Sequence, residues 1–130
     1  MAANNLAMLY ADHGKGNGDE AMRLAQDVVR RNPNNPGFAD TLGWVYHKKG
    51  LHAAAVEQLD KAVKGAAAAG GDNSLYRYHL GMALAAKGDK ARARAELQKC
   101  LQLAAAEEKR PTPPPTKTPL DEVRRTLDTL

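Results

Sequence analysis

The stretch Thr41-Leu42-Gly43-Trp44-Val45-Tyr46 returns as His79-Leu80-Gly81-Met82-Ala83-Leu84. Each copy reaches a second glycine seven residues after its first, Gly50 and Gly88, and the register holds beyond it. Ala55, Leu59 and Ala62 align with Ala93, Leu97 and Cys100. A looser, earlier copy begins at Leu6-Ala7-Met8-Leu9-Tyr10 and runs through Ala21, Ala25 and Val28 to Pro33. Self-similarity of this period marks a chain of repeated units, none of which can bury its apolar face alone.

Within each copy the apolar residues recur at helical spacing, and a glycine-containing turn divides them into two amphipathic helices. The expected helices cover 3–13, 19–31, 37–49, 52–68, 74–87 and 89–104. Asn32-Pro33-Asn34-Asn35-Pro36 cannot continue a helix and supplies turn formers. Gly70-Gly71-Asp72-Asn73-Ser74 ends one helix and offers caps for the next, and Asp19 and Asp89 stand where N-caps are wanted.

Composition agrees. Of the 130 residues 43% are hydrophobic, but about two dozen of these are Ala and only six residues are aromatic. Alanine forms helices well and fills a core poorly, so a β-sandwich, a barrel or a bulky mixed core is disfavoured. No run approaches the ~20 apolar residues of a membrane span. The stretch Met1-Ala2-Ala3-Asn4-Asn5 lacks the basic and apolar regions of a signal peptide. These features leave cytoplasm and periplasm equally open. A single cysteine excludes an intramolecular disulfide or a thiolate metal cluster. The net charge of +4 is mild and dispersed, unlike the clustered basic face of a nucleic-acid binder.

The pattern resembles the tetratricopeptide (TPR) family, whose unit of about 34 residues carries Leu-Gly and Tyr on its first helix and Ala and Phe on its second. The middle copy matches through Leu42, Gly43, Tyr46, Gly50, Ala55, Leu59 and Ala62, with Leu59 in the place of Phe. The third matches through Leu80, Gly81, Gly88, Ala93 and Leu97, and the first through Leu6, Ala7, Tyr10, Ala21 and Pro33. Gly43 and Gly81 stand 38 residues apart, four more than the family period, and an added turn on the helix over 52–68 absorbs the excess. The resemblance implies an all-α TPR-type solenoid of three antiparallel helix pairs over 1–104, with repeats at about 1–35, 36–73 and 74–104. Asp40-Thr41-Leu42-Gly43-Trp44 is also similar to bacterial arrays, including those of cell-envelope polysaccharide and protein-sorting systems. Met1 opens directly into a first helix, which reads as a segment of a longer array within a larger bacterial protein.

Residues 105–119 are charged and then proline-rich, an extended, semi-rigid spacer in preference to a proline-recognition ligand. Beyond them Leu120, Val123, Leu127 and Leu130 share one helical face. Thr118 is the expected N-cap and Pro119 the first helical residue. An amphipathic helix over 120–130 is expected to cap the final repeat or to reach a neighbouring chain.

Catalytic chemistry is poorly provisioned, and the chain reads as a non-enzyme with no cofactor and no metal. Ser74, the one serine, reads as a helix cap. Cys100 occupies a small-residue packing position, where burial makes a thiol inert. His13, His47, His52 and His79 form no His-Glu-x-x-His pattern. Gly14-Lys15-Gly16-Asn17-Gly18 lacks the strand and Lys-Ser/Thr pair of a phosphate loop. The basic run Lys87–Arg94 reads as a solvated face, with Arg92 and Glu96 spaced to pair.

In TPR arrays the first helices line a concave groove that holds peptides. Carried over position by position, the inward residues are Asn4, Met8, Ala11 and Asp12, then Asp40, Trp44, His47 and Lys48, then Tyr78, Met82, Ala85 and Ala86. The Lys/Asn/Arg clamp of the chaperone-tail-binding subgroup is absent: Asn4, Met8, Trp44, Tyr78 and Met82 stand at those places. The stripe Met8–Trp44–Met82 with Tyr78, flanked by Asp12, Asp40 and Lys48, suits a hydrophobic peptide or helix. Against this, Trp44 and Met82 could simply pack between neighbouring first helices. The expected function is protein–protein interaction through this groove. The alternative is self-assembly, in which uncapped repeat ends stack into a homo-oligomer. Neither nucleic-acid binding nor membrane insertion is expected.

Overall fold

The computed structural model describes residues 18–114 and 116–130. Six helices occupy them: α1 Gly18–Arg31, α2 Pro36–Lys48, α3 His52–Ala68, α4 Ser74–Lys87, α5 Lys90–Glu108 and α6 Leu120–Thr129. No strand occurs among the described residues, and none of these helices is long and apolar enough to cross a membrane. The expected first helix over 3–13, with Asn4, Met8 and Asp12, lies outside the described residues.

Packing is tightest within the pairs α2/α3 and α4/α5. Successive pairs meet through α1 on α2 and α3 on α4, while the first helices α2 and α4 touch along one side. This is the stacking of an all-α solenoid of the tetratricopeptide type. Inside each pair the approach is set by a missing side chain. A Cβ on Gly43 would fall 2.5 Å from Leu59 Cγ and 3.2 Å from the Ala55 carbonyl oxygen. A Cβ on Gly81 would fall 2.5 Å from Leu97 Cδ2. Ala55, Leu59, Leu80, Ala83, Leu84, Ala93, Leu97 and Cys100 are all fully buried, so leucines fill the layers between backbones that small residues bring together.

The turns inside the pairs need a left-handed residue. Gly50 has φ 81° and Gly88 has φ 94°, where a Cβ is strained. In each turn the next amide reaches back to the helix: Leu51 N–H donates to Tyr46 O at 2.9 Å, and Asp89 N–H to Leu84 O at 2.9 Å. Both close α2 and α4 as Schellman motifs. Side chains open the helices. Asn35 accepts from Phe38 N–H at the start of α2, with Pro36 at the first helical position. Asn73 accepts from Tyr76 N–H at the start of α4, and Asp89 from Arg92 N–H at the start of α5.

Several local expectations are corrected. Ser74 is not the cap of α4, because Asn73 is. Ser74 is the first helical residue, buried, with its N–H donating to Glu107 Oε2 at 2.8 Å and its hydroxyl to Oε1 at 2.6 Å. That carboxylate explains why α5 runs to Glu108, four residues past the expected end. Asp19 lies within the first turn of α1 and pairs with Lys49. Thr118 does not cap α6; its hydroxyl meets that of Ser74 at 2.6 Å. Arg92 pairs with Asp60 of α3 at 2.9 Å, while Glu96 pairs with Arg77 at 2.8 Å. Arg77 also grips Asp72 with two hydrogen bonds, through Nε at 3.0 Å and Nη2 at 2.9 Å.

Candidate functional site

Asp40, Trp44, His47 and Lys48 lie at i, i+4, i+7 and i+8 on α2, one face of a helix of 3.6 residues per turn. Tyr78 and Met82 repeat the spacing on α4. Because α2 and α4 are neighbours, these six expected site residues come onto one face shared by two first helices.

Trp44 organises that face. Its ring stacks on His79 with centroids 4.2 Å apart and on His47 at 4.8 Å, and Tyr78 tilts against it at 5.5 Å. Lys48 Nζ lies 4.8 Å from the Trp44 ring centroid, a cation–π distance. Asp40 fixes the far side of the stack, with His79 Nδ1 lying 2.8 Å and 2.9 Å from its two carboxylate oxygens. The Tyr78 hydroxyl donates to Glu122 of α6 at 3.0 Å.

Exposure separates floor from rim. Asp40 is 2% exposed, Trp44 3% and Tyr78 5%, so these three form a buried floor. Lys48 is exposed, and His47 and Met82 are half-buried. Asp40 and Trp44, expected to line the groove, are almost wholly covered by their neighbours. Trp44 packs between first helices, and Asp40 is occupied by His79. Burial, reinforced by the nearby His52 and Lys48, lowers the His47 pKa to about 4, so its imidazole is neutral near pH 7.

His79 was not among the expected site residues, although the repeat carries a signal for it. Asp40 and His79 are 39 residues apart, one more than the repeat interval. Equivalent positions on stacked first helices are adjacent, so an acid and an imidazole offset by one residue are brought into reach. Elsewhere, burial pushes the Cys100 thiol up to about 12, which holds it protonated. Among the described residues, no three His, Cys, Asp or Glu side chains converge to hold a metal ion.

A tetratricopeptide repeat family model matches residues 40–64 and 75–107, within the second and third copies of the repeat. No curated protein matches the chain.

Proposed function

We propose that this chain, a member of the tetratricopeptide-repeat family, holds a peptide or helix of a partner protein on the face shared by α2 and α4. Repeats of this family mediate protein–protein interaction. The observation that carries the proposal here is the pairing of a rigid floor with an open rim. The floor is Trp44 clamped between two imidazoles and anchored through Asp40 and His79. The rim is Lys48, His47 and Met82.

Each rim residue sets a requirement on the ligand. Met82 is a soft apolar surface that adapts to a partner's apolar side chain. Lys48 lies over an aromatic ring and offers a cation to a carboxylate. His47, held neutral, contributes an apolar ring edge without competing charge. The ligand that fits is a segment with a large apolar residue beside an acidic one. A pre-stacked floor loses little conformational freedom on binding, which favours affinity. The role is that of a non-catalytic scaffold.

Display selection of random peptides on the wild-type chain tests this. Enriched sequences should pair an acidic residue with Leu, Met or an aromatic. They should bind the Lys48→Glu/Met82→Glu variant at least about tenfold more weakly, the loss of about 1.4 kcal/mol. Lys48 is exposed, whereas Met82 is half-buried against the core cluster of Trp44 and Tyr78, so the double variant should lose about 0.5–3 kcal/mol, and circular dichroism checks that it stays folded. Undiminished binding to the double variant rejects the face.

A further inference from the structure

The last helix rests where a further repeat would place its first helix. α6 packs on α5, with Val123 fully buried and Leu120, Leu127 and Leu130 half-buried on the same side. Val123, Leu127 and Leu130 join a core cluster that includes Tyr78, Leu97 and Cys100. Both ends of the helix are also held by polar groups. Tyr78 donates to Glu122 at 3.0 Å near the start, and Arg94 Nη2 donates to the Leu130 carbonyl at 2.6 Å at the end. A guanidinium there also complements the negative end of the helix dipole.

Yet the attachment is slight. α6 has ten residues, below the length at which a helix persists alone in water, and it lacks a side-chain N-cap. Val123 is its one fully buried side chain. It hangs on residues 109–119, an eleven-residue connection that includes Pro111, Pro113, Pro114 and Pro119. At about 3.1 Å per residue in the polyproline conformation such a connection spans roughly 34 Å. That exceeds the roughly 15 Å length of α6 itself. The connection is thus long enough for the helix to leave its seat while still tethered to the array.

From this we infer that the outer face of α4 and α5 is a second interaction surface, one that binds an amphipathic helix and that α6 occupies in cis. The occupant it admits from outside is a partner's helix with the chemistry of α6. Such a helix carries aliphatic residues at i, i+3, i+7 and i+10, a carboxylate at i+2 that meets Tyr78, and a C-terminal carbonyl that meets Arg94. The partner displaces α6 by competition, so α6 sets the threshold for binding. This surface shares Tyr78 with the floor of the peptide face but otherwise uses Leu97, Leu101 and Arg94 of α5 and goes beyond that face.

The test uses the full chain and a fluorescent peptide of the sequence Lys117–Leu130. Val123→Asp should unseat α6 in the chain while the array stays helical by circular dichroism. That variant should bind the peptide, and the wild type should bind it at least about tenfold more weakly, because a tethered competitor acts at millimolar effective concentration. A peptide carrying the same Val→Asp change should bind neither. Hydrogen exchange on the wild type reads the same property without mutation: α6 amides should exchange at least about 100-fold faster than those of α4. A folded Val123→Asp chain that ignores the peptide overturns the inference. So does exchange of α6 at the global rate, or unfolding of the whole array by Val123→Asp, since either makes α6 integral. A wild-type chain of twice the monomer mass by light scattering, reduced to monomer by Val123→Asp, overturns the assignment to a partner's helix by giving the seat to a second copy.

Discussion

Gly81→Ala adds a single methyl group at the closest helix crossing of the α4/α5 pair. The new Cβ would lie 2.5 Å from Leu97 Cδ2 and 2.6 Å from Leu97 Cγ, whereas carbon atoms in contact settle near 3.5–4.0 Å. Leu97 must retreat by about an ångström, and it is fully buried. Overpacking of this kind costs about 1–3 kcal/mol. Replacing a helical glycine by alanine returns roughly 0.8–1 kcal/mol. The net expectation is a loss of about 1 kcal/mol and at most about 2 kcal/mol, measurable by urea denaturation followed by circular dichroism.

Leu97→Ala separates the two contributions. Alone it should cost about 2–5 kcal/mol by opening a cavity. In its presence the clash disappears and only the propensity gain remains, so Gly81→Ala should become neutral or mildly stabilising. Gly43→Ala supplies the contrast. Its Cβ would also crowd the Ala55 carbonyl at 3.2 Å, a backbone atom that Leu59→Ala cannot remove, so rescue there should be incomplete. A neutral or stabilising Gly81→Ala in the wild type would refute the close-approach reasoning. An equal cost with and without Leu97 would refute it too.

Asp40→Ala should cost about 1–3 kcal/mol in the same assay by orphaning the buried His79 imidazole, and Asp40→Asn, which keeps an acceptor, should cost less. His47 is depressed to about 4 from an ordinary value of 6.5. Between those values the unfolded chain binds the proton that the folded chain refuses, so stability falls as pH drops from 6.5 to 4 and changes no further below. His47→Phe, which keeps a ring against Trp44, should remove that part of the acid sensitivity in denaturation curves taken at each pH. Asp72 is held below the ordinary carboxylate range, first by hydrogen bonding to Arg77. Its contribution is present above pH 3.8 and lost as pH falls through the lowered value, so Asp72→Asn should destabilise at pH 7 and converge with wild type in stronger acid.

The helix pairs and their turns were legible because the signals are local: glycines at Gly50 and Gly88, the Pro-Asn run before α2, and apolar residues at helical spacing. Close packing at Gly43 and Gly81 was legible because the repeat aligned both glycines with the second-helix residues Leu59 and Leu97. What escaped was set by partners far along the chain. Glu107 reaches back 33 residues to Ser74, which extends α5 and leaves Asn73 as the cap. Arg92 prefers Asp60 on the neighbouring pair to Glu96 one turn away, because Arg77 already holds Glu96. On the candidate face the spacing placed six residues on the two first helices α2 and α4. It could not rank their depth, since Trp44 and Asp40 are covered by His79, which reaches them from α4.

A charge-swap binding experiment tests the central claim most directly. A selected peptide with one acidic residue should lose at least about tenfold in affinity, roughly 1.4 kcal/mol, to the Lys48→Glu chain by calorimetry. Changing that peptide residue to Lys should restore binding to Lys48→Glu and weaken it to wild type. Equal affinity of both peptides for both chains would contradict a partner-binding face centred on Lys48 and Trp44.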